Sequence, residues 1–132
     1  MSASLGSEGG EALVPRLTYA LDCCEAEKLA AFWSEVLGYS LLGRSGSFWP
    51  LIPPEGVEEP WFVLQQVDER KAGKNRMHLD IHVADLAGDA RRFEALGARR
   101  LSDEPVVMGS FSWFVMADPE GNEFCIVHPG HQ

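Results

Sequence analysis

The sequence is short of basic residues and has no long apolar run, and both shortages limit its function. Its 11 lysines and arginines stand against 20 aspartates and glutamates, which gives a formal net charge of −9. Nucleic-acid binding requires a surplus of basic side chains that contact the phosphates. No apolar stretch approaches the roughly 20 residues that span a bilayer. We therefore expect neither a nucleic-acid partner nor a membrane partner.

Cysteine is also scarce. The three cysteines are Cys23, Cys24 and Cys125, and their spacing does not match a zinc-binding motif. A bond between the neighbours Cys23 and Cys24 would be strained, so we expect reduced thiols, which fit a reducing compartment. Residues 1–10 lack the basic and apolar regions of a signal peptide. Together these absences predict a cytoplasmic protein.

The composition is that of an ordinary globular protein. Of the 132 residues, 45% are hydrophobic and 23% are charged, and a chain of this length can bury the core of one domain. Residues 1–15 are rich in Ser, Gly and Glu, and we predict a disordered N-terminal tail there. Residues 16–129 are predicted to form a single domain.

One stretch of the chain occurs twice. Thr18–Val36 and His78–Leu96 each read as a strand followed by an amphipathic helix. Each helix is followed by a glycine, Gly38 or Gly97, that can form a left-handed cap. A duplicated unit of this kind predicts a pseudo-symmetric sheet.

The elements around the repeat complete two similar modules, 16–67 and 77–129. Each has the order βαβββ, which predicts an α+β fold with a curved, half-barrel mixed sheet and helices on its outer face. The predicted helices span 25–37 and 86–96. The predicted strands span 17–22, 39–43, 48–52, 61–67, 77–84, 99–102, 112–117 and 123–128.

Five short motifs follow one another along these modules. They are Phe32-Trp33, Leu37-Gly38-Tyr39, His78-Leu79-Asp80, Leu96-Gly97-Ala98 and the turn Asp118–Asn122. In this order the chain resembles the glyoxalase-like branch of the vicinal-oxygen-chelate superfamily over residues 16–129. That superfamily includes glyoxalases, ring-cleaving dioxygenases, epimerases, antibiotic-modifying enzymes and non-catalytic drug-binding proteins such as bleomycin resistance proteins.

The resemblance implies a divalent metal held by the first, fourth, fifth and eighth strands. The corresponding positions here are Thr18, Gln65, His78 and Cys125. Only His78 is a routine ligand of glyoxalase metals, and hard dications prefer charged oxygen and imidazole donors. Because this ligand set is incomplete, we expect no stoichiometric catalytic metal, and a divalent metal at His78 remains the alternative.

The fifth strand carries the polar residues that are best suited to chemistry. Alternation places His78, Asp80 and His82 on one face. Asp80 could orient a histidine tautomer and raise its basicity, which suits general acid–base catalysis. The alternative is a structural hydrogen-bond network with His82 at the rim.

Aromatic residues on other strands could complete a cavity. If Trp49, Trp61, Phe111 and Trp113 point inward, the cavity suits a flat or apolar small ligand. The alternative is ordinary sheet packing. Cys125 could act as a nucleophile beside a histidine, since a histidine can lower a thiol pKa.

Two function classes stay open. The favoured one is metal-free binding or sequestration of a small aromatic or apolar ligand. The alternative is a lyase-type or dioxygenase-type enzyme that uses His78 with a divalent metal or with Asp80 as acid and base. We also predict a homodimer, because open sheet edges need covering. The predicted site comprises His78 and Asp80 as catalytic candidates, and Thr18, Trp49, Trp61, Gln65, His82, Phe111, Trp113 and Cys125 as ligand-binding candidates.

Overall fold

The computed structural model describes residues 16–130, so the tail predicted over 1–15 lies outside the described residues. The chain divides into two compact units, one up to Arg70 and one from Lys71 onward. In the described part of the chain, no helix is long and apolar enough to cross a membrane. Among residues 16–130, each unit has its own sheet and one helix, as the α+β prediction requires.

The first unit has the predicted βαβββ order. Its sheet runs β1-β4-β3-β2, with β1 parallel to β4 and the other pairs antiparallel. Its elements are β1 (Thr18–Cys23), α1 (Ala26–Leu37), β2 (Ser40–Leu41), β3 (Phe48–Ile52) and β4 (Trp61–Gln66).

Helix α1 packs on one face of this sheet because its apolar side chains recur at helical spacing. Leu29 and Trp33 are buried, and the Trp33 ring lies 5.1 Å from the ring of Phe62 on β4. The helix ends at Gly38, whose φ of 71° gives the predicted left-handed cap and whose N–H donates to Ser34 O.

The second unit has the same order with one added strand. Its sheet runs β5-β9-β8-β6, and β7 pairs with β8. The added strand is β7, which lies between the predicted strands 99–102 and 112–117 and was not predicted. The elements are β5 (Leu79–His82), α2 (Leu86–Leu96), β6 (Arg99–Arg100), β7 (Val106–Met108), β8 (Phe111–Ala117) and β9 (Glu123–His128).

Side-chain hydrogen bonds stabilise the start of α2 and the turn between β8 and β9. Asp85 caps α2 by accepting a hydrogen bond from Gly88 N at 3.0 Å. Between β8 and β9, the buried Asp118 carboxylate accepts hydrogen bonds from the backbone N–H groups of Glu120 and Asn122, both at 2.9 Å. This turn joins β9 to β8, and β9 pairs with β5 on its other side, so β9 lies between these two strands.

Candidate functional site

Strand β5 presents its polar side chains on the sheet face opposite α2. His78, just before the strand, is exposed together with Asp80 and His82, whereas Leu79 and Ile81 are half-buried. This is the alternation that the sequence predicts, and it follows from the two-residue period of a strand. The three polar residues therefore share one surface.

The neighbouring strands extend this surface sideways. In the sheet register Asp80 lies beside Cys125 and His82 beside Val127, and residues that lie side by side on adjacent strands project to the same face. Trp113 pairs in turn with Val127. A hollow of about 460 Å³ results, which we call the second-sheet hollow. Its lining residues are His78, Asp80, His82, Phe111, Trp113, Val115, Cys125 and Val127.

A contact between His78 and Asp80 organises the polar end of the hollow. The distance from His78 Nδ1 to Asp80 Oδ1 is 3.1 Å, and about half of each side chain is exposed. An exposed pair of this kind contributes little to stability. Its chemical effect is orientation, because a carboxylate at Nδ1 leaves Nε2 as the nitrogen that can accept a proton or bind a ligand.

Cys125 lies at the floor of the hollow and is buried. Burial raises the pKa of its thiol above the usual range, and the negative charges of Asp80 and Glu123 raise it further, while Lys74 opposes them. A thiol with a raised pKa stays protonated at neutral pH, and only the thiolate is a strong nucleophile. The environment of Cys125 therefore disfavours the nucleophilic role considered from the sequence.

Three side chains of the hollow could together hold a metal ion. His78, Asp80 and Cys125 each offer one ligand atom, and these atoms lie within 4.8 Å of one another. Imidazole, carboxylate and thiolate donors fit a borderline cation such as Zn²⁺ better than the hard cations Mn²⁺ and Mg²⁺. Asp80 was not among the ligand positions predicted from the sequence because those followed the family's ligand positions, although the spacing of His78 and Asp80 already placed both on one face.

The remaining predicted site residues belong to the first unit. Thr18 pairs with Trp61, and Gln65 lies on the same face as both, opposite α1. Trp49 pairs with Leu64 and so lies on the other face of this sheet, in a separate hollow of about 660 Å³. The structure therefore does not bring Trp49 and Trp61 together, and the site roles of these first-unit residues remain predictions.

Comparison with known proteins identifies the family. A model of the glyoxalase-like domain matches residues 18–127. The chain belongs to this family. The predicted resemblance to the superfamily of glyoxalases, bleomycin resistance proteins and dioxygenases is thereby confirmed. None of the curated proteins matches the chain.

Solved structures of this superfamily share the fold. A glyoxalase/bleomycin resistance protein/dioxygenase family enzyme from Burkholderia phytofirmans PsJN is 18% identical with a TM-score of 0.72, and the match covers 86% of this chain and 98% of that one. A glyoxalase/bleomycin resistance protein/dioxygenase from Nocardioides is 17% identical with a TM-score of 0.68, and the match covers 93% of each chain.

A third structure carries a metal and a small molecule. A mutant of the fosfomycin resistance protein FosX from Listeria monocytogenes, in complex with Mn(II) and 1S,2S-dihydroxypropylphosphonic acid, is 17% identical with a TM-score of 0.70. The match covers 90% of this chain and 93% of that one. At these identities the likeness concerns the fold alone.

Proposed function

We propose that this protein binds a small aromatic or apolar molecule in the second-sheet hollow, without a metal. The observation that carries the proposal is the lining of the hollow, where polar groups at β5 face apolar and aromatic side chains of β8 and β9. Apolar walls with a few convergent polar groups are the usual form of a small-molecule site.

The aromatic side of the hollow provides the affinity. Phe111 is 45% exposed and Trp113 is only half-buried, so apolar surface remains that a flat ligand can cover. Covering roughly 100 Å² of apolar surface is worth about 2.5 kcal/mol before the cost of association. His78, Asp80 and His82 then orient the ligand through hydrogen bonds.

Tryptophan fluorescence tests this proposal. Titration with a small aromatic ligand should quench emission saturably, and Trp113→Phe should remove most of the quenching because Trp113 lines the hollow. Trp49→Phe is the matched control, since Trp49 lies in the separate hollow of the first unit and its replacement should preserve the quenching. Quenching that survives Trp113→Phe and disappears with Trp49→Phe would contradict the proposal.

A metal-dependent enzyme of lyase or dioxygenase type is the second candidate. The observation that favours it is the closeness of the ligand atoms of His78, Asp80 and Cys125. These residues would hold the ion, and a bound divalent cation supplies Lewis-acid polarisation of a substrate oxygen. Without a metal, His78 Nε2 is the group that would move a proton, with Asp80 orienting the ring.

Elemental analysis separates the two candidates. We expect the purified protein to contain no stoichiometric Zn, Ni, Mn or Fe. About one equivalent of metal per chain, lost in both His78→Ala and Cys125→Ser, would replace the binding function by the metal-dependent one. Asp103→Asn, on an exposed loop of the same unit, controls for a nonspecific effect of surface charge.

We also propose that the protein forms a homodimer. In the second sheet β7 exposes Val107 and Met108, which are 68% and 67% accessible. Exposed apolar side chains on a strand that pairs on one side are commonly covered by association. A second copy of the chain is the partner that this proposal names.

A further inference from the structure

The fixed charge on the lining of the second-sheet hollow is negative. Asp80 contributes a carboxylate, and none of the described residues that line the hollow is a lysine or an arginine. The whole chain carries a formal net charge of −9, which adds a long-range attraction for cations. An anionic ligand would find no fixed cationic partner among these lining residues.

The cation that acts on the floor of the hollow is already paired. Lys74 Nζ lies 2.5 Å from Glu123 Oε1, so its charge is largely compensated there. Because Lys74 is paired with Glu123, the Asp80 carboxylate is the fixed charge that a ligand in the hollow meets.

Aromatic rings lie diagonally across the sheet from this carboxylate. Asp80 is level with Val115 through Cys125. Trp113 is level with His82 through Val127. Trp113 and Asp80 are therefore two strands apart, about 10 Å between strand axes, and offset by two residues along the strands. The faces of Trp and Phe rings attract ammonium groups as well as other rings. A ligand that reaches from Trp113 to Asp80 can therefore stack a ring at one end and place a cation at the other.

We propose that the second-sheet hollow selects cationic ligands, namely aromatic or apolar molecules that carry a protonated amine. The ammonium group lies at Asp80, where His78 Nδ1 fixes the carboxylate orientation at 3.1 Å, and the ring lies against Trp113 and Phe111. This inference rests on the proposed binding function and adds the charge of the ligand to it.

Three probes of similar shape test the charge preference. They are 2-phenylethylamine, neutral 2-phenylethanol and anionic 3-phenylpropionate, titrated with a chelator present at about pH 8, where free imidazole is neutral. The dissociation constant of the amine should be about fivefold to tenfold lower than that of the alcohol, since Asp80 is partly screened by solvent. The propionate should bind more weakly than the alcohol.

Variants assign the preference to Asp80. Asp80→Asn keeps the shape of the side chain and removes its charge, so it should abolish the advantage of the amine over 2-phenylethanol measured in the same variant. Asp103→Asn removes the same charge from an exposed loop and should preserve the advantage.

The outcomes distinguish this inference from the function on which it rests. If 2-phenylethanol quenches Trp113 with the same dissociation constant as the amine, the binding function holds and the charge selectivity is refuted. A preference for the amine that persists in Asp80→Asn also refutes it. If none of the three probes quenches Trp113, both the binding function and the selectivity for this ligand class are overturned.

Discussion

Replacing Asp118 by alanine should destabilise the second unit more than any change at an exposed acidic residue. The carboxylate is 3% exposed and accepts hydrogen bonds from Glu120 N, Asn122 N and Asn122 Nδ2, at 2.9 to 3.1 Å. Both Asn122 donors are in buried positions, whereas Glu120 is only half-buried. Leaving two buried donors unsatisfied costs about 1–3 kcal/mol each, and partial relaxation brings the expected total to roughly 2–4 kcal/mol.

Urea denaturation followed by far-UV circular dichroism measures this loss. Asp118→Asn should cost less than Asp118→Ala because its amide oxygen can still accept the two backbone N–H groups. Asp103→Ala serves as the exposed control and should change the free energy of unfolding by less than about 0.5 kcal/mol. If Asp118→Ala also falls within that limit, the buried hydrogen bonds do not hold the turn, and the reasoning is refuted.

Three further predictions concern charge and assembly. Because burial and nearby carboxylates raise the pKa of Cys125, its alkylation at pH 7 should be slower than that of Cys24, and Asp80→Asn should lower that pKa and speed the reaction. Lys74→Ala should raise the pKa of Glu123, which the Lys74 hydrogen bond now lowers, and an NMR titration measures the shift. Light scattering should return the mass of a dimer at micromolar concentration, and a monomer mass would contradict the proposed homodimer.

The bounds of α2 were predictable from the sequence. The predicted bounds of α2 agree with the structure because Asp85 and Gly97 mark its ends with local chemistry. The strand Val106–Met108 was missed because its formation depends on pairing with β8, and a strand of three residues has too little alternation to stand out. An element whose ends depend on neighbouring residues, such as α2, was therefore predictable, whereas a strand that depends on pairing with a distant strand, such as β7, was not.

The site was predictable along a strand but not across strands. Alternation placed His78, Asp80 and His82 on one face, and the structure has them there. That Asp80 lies beside Cys125 depends on the register of β5 with β9, which joins residues far apart in sequence. The same limit applies to Trp49, whose face is decided by its pairing with Leu64.

The position of β9 between β5 and β8 determines when the hollow can form. Strands β5 and β8 do not pair with each other. The floor of the hollow, with Cys125 and Val127, therefore comes from β9, which is the last strand of this unit to be synthesised. Parallel pairing of the first and last strands is a contact of high sequence separation, which forms late and slowly. A ligand therefore meets a complete surface only after the whole unit has been synthesised, and its binding energy stabilises the finished fold rather than an intermediate.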